Sequence, residues 1–310
     1  MQNCYMNPDP FAPTRPHYGV DLWAETKKIR RRRAVQQAFE IGCFALLVSV
    51  ACVAVIGIGF LLLPGRTNLL VLGIDRAPEG TDASRSDTII LTTYHPIKPY
   101  LGMLSIPRDL WVPIPGIGEN RINTAHFFAE STEPGSGPQA ALDTVSENFG
   151  VKVNYYLRIR FNGLVELIDS IGGLDIELDS QMAGYSAGNH HLSGEQALAF
   201  VRDRAGTDDF FRMNQGQFFL KELLEQLLNP TAWARLPGVL NALFASIDTN
   251  LPIWQWPRLG FTLLRIGPAG IDNQLISREM VTPFTTSDGA QVLLPVWEKI
   301  SEIIKEMFGG

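Results

Sequence analysis

Residues 69–126 decide the fold, and they read LLVLGIDRAPEGTDASRSDTIILTTYHPIKPYLGMLSIPRDLWVPIPGIGENRINTAH. Three short apolar runs lie in this stretch: Leu69–Ile74, Thr88–Thr93 and Tyr100–Ile106. Polar or proline-containing segments separate them, and runs of this length bounded by such segments are typical of buried strands. Because the connections are short, we predict that the three runs pair as an antiparallel meander.

Charged residues stand where the three predicted strands end or begin. Asp75 follows the first run, Asp87 precedes the second, Arg108 follows the third, and Arg85 lies close to Asp87. In a meander these positions share one edge of the sheet. Two carboxylates suit a hard cation such as Mg²⁺, and several guanidinium groups suit an oxyanion. The pattern predicts a site for a pyrophosphate with its Mg²⁺.

Ordinary turn chemistry is the alternative interpretation of these residues. An aspartate often closes a strand or caps a helix, and an arginine beside an aspartate is usually half of a surface ion pair. This alternative accounts for any one of the residues by itself. It accounts less well for several of them meeting at one edge, and we therefore favour the site.

The composition allows a sizeable core and argues against a nucleic-acid partner. The chain has 310 residues, 45% of them hydrophobic, and a formal net charge of −6, enough for one large or two ordinary domains. Residues 1–63 hold seven basic and four acidic residues, and the rest of the chain holds 19 basic and 28 acidic ones. The basic residues are therefore concentrated at the beginning of an otherwise acidic protein.

The uncharged segment Ile41–Leu63 predicts a membrane anchor. Its 23 residues would form a helix of roughly 34 Å, long enough to cross a bilayer. A signal peptide is the main competitor, but the preceding 40 residues are too many and Leu62-Leu63-Pro64-Gly65 is a poor cleavage site. The basic stretch Lys27–Arg33 lies before the segment, so the positive-inside rule predicts a cytoplasmic N-terminus.

This topology predicts three parts for the chain. Residues 1–40 are expected to be a disordered, basic, cytoplasmic tail, residues 41–63 the single transmembrane span of a cell-membrane protein, and residues 64–310 its extracytoplasmic domain. A nucleic-acid-binding patch is the alternative for Lys27–Arg33. All three cysteines, Cys4, Cys43 and Cys52, precede residue 64, so the outer domain holds no disulfide and no thiolate metal site.

The remaining pattern mixes strands with helices and predicts a sandwich in which helices cover a mixed sheet. Trp111–Gly118 is rich in proline and glycine and predicts a loop, whereas Ser193 and Gln196 have the spacing of a capping box at a helix start. Phe210–Leu228 predicts a long amphipathic helix, and Gln291–Phe308 predicts a terminal helix.

Three further arginines are candidates for phosphate binding. Arg202 and Arg204 follow a predicted helix, and Arg212 lies in the first turn of the next one, where a cation opposes the helix dipole unless an anion shares the site. The alternative is surface pairing of Arg202 and Arg204 with neighbouring aspartates. The sequence contains no zinc-hydrolase HExxH, no serine-hydrolase elbow and no Walker or GxGxxG motif.

Aromatic and leucine residues exceed what one helix face requires. Plain core packing is their usual role, and the functional alternative is an apolar cleft for a lipid tail. The residues concerned are Phe127, Phe128, Phe210, Phe211, Phe218 and Phe219, with Leu220, Leu223, Leu224, Leu227 and Leu228.

Five ordered motifs together resemble the LytR-CpsA-Psr family of membrane-anchored bacterial enzymes, which attach glycopolymers to the cell wall. The resemblance runs from about Asn68 to Leu228 and follows an N-terminal anchor of the expected kind. The motifs are Leu72-Gly73-Ile74-Asp75, Arg85-Ser86-Asp87-Thr88, Ser105-Ile106-Pro107-Arg108-Asp109, Arg121-Ile122-Asn123, and Leu192-Ser193-Gly194-Glu195-Gln196-Ala197-Leu198 followed by Val201-Arg202-Asp203-Arg204.

The resemblance implies an α/β fold, an α/β/α sandwich with a central mixed, largely antiparallel sheet. It implies Mg²⁺-assisted transfer of a glycopolymer from a polyprenyl-(pyro)phosphate carrier to a hydroxyl of peptidoglycan. Asp75 and Asp87 would hold the metal and act in catalysis with Arg108 and Arg204. The substrate-binding residues would be Arg85, Arg121, Arg202, Arg212 and Gln217.

One departure concerns the segment after Arg212. The family commonly continues with Arg-Gln where this chain has Gln215-Gly216, and Gln217 is the candidate to replace the lost contact. The residues leave the general base open among the site aspartates and Asp109. Two other functions stay open as well, a non-catalytic regulator that binds polyprenyl phosphate or glycan, of the transcription-attenuator type, and a lipid pyrophosphatase.

Overall fold

The structure is a computed structural model, and it describes residues 21–61, 65–75, 77–78, 81–203, 209–229 and 236–309. The chain divides into two compact units, residues 1–60 and residues 61–310. The first unit contains one long helix and the second contains the mixed α/β domain.

Helix α1 spans Asp21–Leu61 and is 41 residues long. Its segment Thr26–Gly57 is long and apolar enough to cross a membrane. The helix begins well before the apolar segment, so the prediction of disorder is wrong for residues 21–40, while residues 1–20 lie outside the described part. The physical reason is that alanine, glutamine, lysine and arginine are good helix formers, and they extend a helix that the apolar segment has already nucleated.

The second unit is built on a six-stranded mixed sheet. Its strand order is β10-β3-β2-β1-β6-β9. Three neighbouring pairs are antiparallel: β1 with β2, β2 with β3, and β6 with β9. Two pairs are parallel: β1 with β6, and β3 with β10. The predicted meander and the mixed, largely antiparallel sheet are confirmed. The strands are β1 (Thr67–Ile74), β2 (Ser86–His95), β3 (Tyr100–Ser105), β4 (Trp111–Ile114), β5 (Gly118–Arg121), β6 (Tyr155–Arg160), β7 (Leu174–Leu178), β8 (Gly188–Leu192), β9 (Ile247–Thr249), β10 (Asp272–Leu275), β11 (Val281–Thr285) and β12 (Gln291–Pro295).

Helices cover both faces of this sheet. Successive side chains of β1 point to opposite faces, and each face packs against helices in its own hydrophobic core. Leu70 and Leu72 pack into one core with α3 and α9, and Leu69 and Val71 pack into the other with α6 and α8. The sandwich predicted from the family resemblance is therefore present. The helices of this unit are α2 (Thr124–Thr132), α3 (Gly137–Phe149), α4 (Phe161–Ile171), α5 (Gly194–Arg202), α6 (Asp209–Leu228), α7 (Leu236–Ser246), α8 (Gln255–Ile266) and α9 (Trp297–Phe308).

Helix α5 is anchored by the predicted capping box. The Ser193 hydroxyl accepts from the Gln196 amide, and the Gln196 side chain accepts from the Ser193 amide at 2.9 Å. Gly194 begins the helix where it approaches α4 closely, since a Cβ there would lie 2.3 Å from the carbonyl oxygen of Val165. The fixed start of α5 also fixes its end, which carries Arg202.

Two predictions about secondary structure are wrong. Residues 111–121 form the hairpin β4–β5 rather than a loop, and residues 291–295 form strand β12 rather than the start of a terminal helix. Pro295 explains the second error, because a proline inside a helix removes a hydrogen bond and clashes with the preceding turn. The last helix therefore begins at Trp297.

Candidate active site

The ends of three central strands bring the predicted carboxylates to one edge of the sheet. Ile74 pairs with Ser86, and Ile90 pairs with Ser105, so the end of β1, the start of β2 and the end of β3 lie side by side. Asp75, Asp87 and Arg108 follow or begin these strands, as the meander predicted.

A β-bulge sets the direction of Asp87. Gly73 pairs with Thr88 and Ile74 pairs with Ser86, so Asp87 is the extra residue that has no partner in the ladder. Bulges of this kind often lie beside active sites, where they redirect a side chain. Gly73 permits the close packing opposite the bulge, because a Cβ there would lie 2.9 Å from the ring of Phe161.

Asp75 is held by an arginine from the end of α5. The Arg202 guanidinium meets both carboxylate oxygens, with an Nε–Oδ2 distance of 3.1 Å and a close Nη2–Oδ1 contact. The Asp75 carboxylate is buried, so this bidentate pair is a strong, charge-assisted interaction. The pair joins segments that are 127 residues apart in the sequence.

A second charged chain begins at Asp87. Arg108 Nη1 lies 2.6 Å from Asp87 Oδ1, and Arg108 Nε lies 3.7 Å from Asp109 Oδ2. Arg121 Nε continues the chain, at 3.3 Å from Asp109 Oδ1. All four side chains are partly exposed, so they remain within reach of a ligand that enters from solvent.

A small cavity of about 70 Å³ extends from these charges, and residues of β2, β3, α5 and α6 contribute to its lining. Its polar end contains Asp75, Asp87, Arg108, Arg202 and Arg212, and its walls are largely aliphatic and aromatic. The apolar lining consists of Ile89, Ile90, Ile106, Phe161, Val201 and Met213. We call it the apolar cavity.

A wider, more polar pocket of about 480 Å³ adjoins the apolar cavity, and Asp75, Asp87 and Arg108 line both. We call it the polar pocket. Asn123, which the sequence analysis left without a role, is only 3% exposed, and its Oδ1 atom has no hydrogen-bond partner among the described residues. The other lining residues are Ser84, Arg85, Asp109 and Arg121.

Beneath the polar pocket lies a buried ionic network that sequence reasoning missed. Arg158 on β6 contacts Asp82 at 2.9 Å, Glu130 at 3.1 Å and Asp248 at 2.8 Å, and Arg160 binds Asp82 through two nitrogens at 2.7 and 2.8 Å. Asp82 belongs to the connection between Asp75 and Asp87. The network thus ties the segment between the two site carboxylates to the sheet.

His126 closes this network. Its Nδ1 atom lies 2.9 Å from the carbonyl oxygen of Ser84, and its Nε2 atom lies 3.3 Å from Arg158 Nη1. Burial lowers the pKa of His126, although the contact with Ser84 opposes that shift. Hydrogen bonding to Arg160 holds the pKa of Asp82 below its usual value, despite burial.

The other predicted site residues lie in different places. Arg85 is exposed and lines the polar pocket, and Arg204 lies outside the described residues. Gln217 is buried and donates from Nε2 to the carbonyl oxygen of Gln274 at 2.7 Å. It is five positions after Arg212, on another face of α6, and this placement argues against the substrate-binding role predicted for Gln217.

Gln215 and Gly216 occupy the positions where the sequence departs from the familiar pattern. The buried Gln215 amide donates to the carbonyl oxygen of Phe200, so it links α6 to α5. Gly216 lines the apolar cavity, and nothing lies within 4 Å of the position that its Cβ would take.

The carboxylates fit a magnesium ion that shares its coordination with a substrate. Within the described ranges no cluster of three or more histidine, cysteine or acidic side chains could hold a metal by itself. Mg²⁺ is usually bound by one or two carboxylates together with substrate phosphates and water. Asp75 keeps lone pairs beyond those that Arg202 engages, so both aspartates can serve as ligands.

Comparisons with known proteins agree with this architecture. Residues 62–308 match the LytR_cpsA_psr family. The chain is 31% identical over 196 residues to "Regulatory protein MsrR" of Staphylococcus aureus strain COL, which covers 61% of this chain and 57% of that relative. It is 28% identical over 251 residues to "Polyisoprenyl-teichoic acid--peptidoglycan teichoic acid transferase TagU" of Oceanobacillus iheyensis, covering 78% of this chain and 75% of that one.

Among solved structures, the crystal structure of B. subtilis TagV superimposes with a TM-score of 0.63 at 24% identity. The alignment covers 78% of this chain and 97% of that structure, and it supports the fold alone. The family match extends over the whole sheet, both pockets and the last helix. The chain belongs to the LytR_cpsA_psr family.

Proposed function

We propose that this chain is a membrane-anchored phosphotransferase, which moves a glycopolymer from a polyprenyl-pyrophosphate carrier to a hydroxyl of peptidoglycan. The observation that carries the proposal is the junction of the two pockets. Carboxylates and guanidinium groups meet there, a polar pocket opens on one side, and an apolar cavity extends on the other. A pyrophosphate that carries a lipid on one end and a sugar on the other has the same order of parts: an apolar chain, a charged diphosphate and a polar sugar.

The arginines bind and orient the diphosphate. Arg108 lines both pockets, Arg202 lines the apolar cavity and pairs with Asp75, and Arg212 lines the apolar cavity. Their forked donors match phosphate oxygens and offset the negative charge that a phosphoryl transfer must stabilise. The part of the lipid chain next to the diphosphate contacts Ile106, Phe161 and Met213, because a cavity of about 70 Å³ has room for only the first few carbons.

Asp75 and Asp87 would hold Mg²⁺ against the phosphate oxygens. Bound there, the ion would supply charge neutralisation and would fix the phosphates in line with the incoming hydroxyl. The salt bridges from Arg202 and Arg108 keep both carboxylates oriented toward the junction, so the protein contributes a preformed geometry.

The transfer step forms one bond and breaks one. The oxygen of the acceptor hydroxyl bonds to the phosphorus on the glycan side, and the bond from that phosphorus to the bridging oxygen breaks. The lipid monophosphate leaves with the electron pair. The hydroxyl proton passes to a carboxylate of the polar pocket, for which Asp109 is a candidate because it is partly exposed.

Two further observations support the proposal. The name of TagU describes a transfer of the same kind, and α1 contains a segment that is long and apolar enough to cross a bilayer. An anchor with a cytoplasmic N-terminus would place residues 64–310 outside the cell, where carrier lipid and peptidoglycan meet. The name of MsrR favours a second candidate, a regulator that binds the same lipid or glycan without turnover.

The test uses the full chain in detergent micelles with Mg²⁺, a polyprenyl-pyrophosphate disaccharide and a soluble peptidoglycan glycan. We expect stoichiometric formation of polyprenyl phosphate and phosphodiester-linked product. Asp75→Asn or Arg108→Ala should lower the rate roughly 100-fold or more, as removal of one charge-stabilising group commonly does. Asp179→Asn is the matched control, because Asp179 is exposed and lines neither pocket.

The products distinguish the alternatives. Binding of the carrier without release of polyprenyl phosphate over many enzyme equivalents would favour the regulator. Release at the same rate with and without the glycan, and with no linked product, would identify a lipid pyrophosphatase. Full activity in both site variants would contradict the assignment of the catalytic residues.

A further inference from the structure

The β11–β12 hairpin, which neither the sequence motifs nor the comparisons give a role, is attached to the candidate active site. The Leu293 amide donates to the carbonyl oxygen of Asp109 at 3.0 Å, and Leu293 forms an isolated parallel bridge with Leu110. Arg121 Nη2 donates to the carbonyl oxygen of Gln291 at 2.8 Å. The chain therefore returns about 170 residues later to pack against two site residues.

A third pocket, of about 420 Å³, lies between this hairpin and the start of α6. We call it the hairpin pocket. Its volume falls in the range of roughly 300–1,000 Å³ that is usual for ligand sites. Asp109, Phe210, Pro283, Phe284, Thr285 and Gln291 contribute to its lining.

The lining combines an exposed aromatic ring with polar groups. Phe284 is 49% exposed although it is a large hydrophobic residue, while Asp109, Thr285 and Gln291 carry oxygen and nitrogen atoms that can bond to hydroxyls. The ring of Phe210 is capped on another side by the Arg278 guanidinium, 5.5 Å from its centroid. A sugar ring, with an apolar C–H face and a rim of hydroxyls, matches such a surface.

Asp109 lines both the hairpin pocket and the polar pocket. Its carboxylate is held between Arg108 and Arg121, next to the position proposed for the diphosphate. A hydroxyl that reaches Asp109 from the hairpin pocket would therefore lie beside the polar pocket, where the diphosphate is proposed to bind.

We propose that the hairpin pocket binds a sugar ring of the acceptor glycan and directs its hydroxyl toward Asp109. This inference rests on the proposed function and adds to it the location of the acceptor. Phe284 is the residue that contributes most to binding, through contact of its ring with the C–H face of the sugar. The donor diphosphate binds in the other two pockets and does not depend on Phe284.

The test measures two quantities on the full chain in detergent micelles. The first is the dissociation constant of a peptidoglycan tetrasaccharide, followed by calorimetry without donor. The second is the dissociation constant of the polyprenyl-pyrophosphate donor, measured without glycan. Phe284→Ala should weaken tetrasaccharide binding about tenfold or more and leave the affinity for the donor within twofold, whereas Phe284→Tyr, which keeps the ring, should bind normally.

Phe244→Ala is the matched control, because Phe244 is also 49% exposed but lies on α7, outside the hairpin pocket. Melting curves check that each variant is folded. Unchanged tetrasaccharide affinity in Phe284→Ala, an equal loss in Phe244→Ala, or no binding by the unmodified chain would overturn the inference. Phe284-dependent binding of the tetrasaccharide, with no transfer when donor and tetrasaccharide are both present, would support the pocket and contradict the proposed function instead.

Discussion

Replacing Arg158 by methionine should lower the free energy of unfolding by about 3–5 kcal/mol, the usual cost of removing one partner from a buried ionic network. Methionine fills a similar volume, so the loss of charge and hydrogen bonds dominates over the loss of packing. The Arg158 side chain is 4% exposed, and so is that of its partner Glu130. Water therefore cannot compensate the carboxylate that is left behind.

The structure shows why the value lies at the upper end of what single substitutions do. Arg158 contacts three carboxylates, those of Asp82, Glu130 and Asp248, at 2.8–3.1 Å. Each contact is worth about 5 kcal/mol of Coulomb energy at an effective dielectric constant near 20, and desolvation of the four groups cancels most of the sum. Deletion of the cation removes the attraction but leaves the desolvation of the anions.

Thermal or urea unfolding of the full chain in detergent, followed by circular dichroism, measures the effect. A loss of 3–5 kcal/mol corresponds to roughly 10 °C in melting temperature for a domain of this size. Arg160→Met is the control, because Arg160 is 39% exposed and its ion pair is with Asp82, so it should cost about 1 kcal/mol or less.

Addition of Glu130→Gln to Arg158→Met should recover part of the lost stability, because it removes the uncompensated charge and couples the two sites. Transfer activity should fall with Arg158→Met as well, since Asp82 holds the connection between the site carboxylates. A cost below 1 kcal/mol, or one equal to that of Arg160→Met, would refute the reasoning.

The pKa shifts and glycine contacts lead to three more predictions. The pKa of Asp82 is lowered in the folded state, so its ionised form stabilises the fold above about pH 3.8, and this stabilisation is lost as pH falls through the folded pKa. Asp82→Asn should therefore make the free energy of unfolding, measured by urea denaturation, less dependent on pH in the acid range. Because burial lowers the pKa of His126, the unfolded state binds the extra proton below about pH 6.5, and His126→Gln should reduce the loss of stability between about pH 6.5 and 5. Gly194→Ala should destabilise the fold by about 1–3 kcal/mol, since its Cβ would clash with backbone 2.3 Å away. Gly216→Ala, whose Cβ would have no atom within 4 Å, should stabilise α6 by about 1 kcal/mol. Melting temperatures that move in the same direction in the two variants would contradict this pair of predictions.

Much of the fold follows from local patterns that any reader of the sequence can see. The apolar runs 69–74, 88–93 and 100–106 are separated by polar or proline-containing segments. Their confirmed pairing brings Asp75, Asp87 and Arg108 to one edge of the sheet. The capping box at Ser193 is equally local. The family motifs then correctly indicated the family and the sandwich.

Sequence reasoning failed where a residue's role depends on a distant partner. In the sequence, Arg158 is one polar residue of a predicted strand. Only its contacts with Asp82, Glu130 and Asp248 in the folded domain make it the centre of a network. Gln291–Pro295 has enough apolar residues for a helix, but pairing with β11 and with Asp109 makes it a strand.

The sequence by itself determined the three central strands, the start of α5 and the charges that stand at the strand ends, because burial and backbone preference act over a few neighbouring residues. Only the tertiary structure decided that Asp87 lies in a bulge, that Gln217 faces β10, and that a late hairpin packs against Asp109. Those features depend on contacts between residues that are far apart in the chain, and such contacts form only when the complete domain closes around its cores.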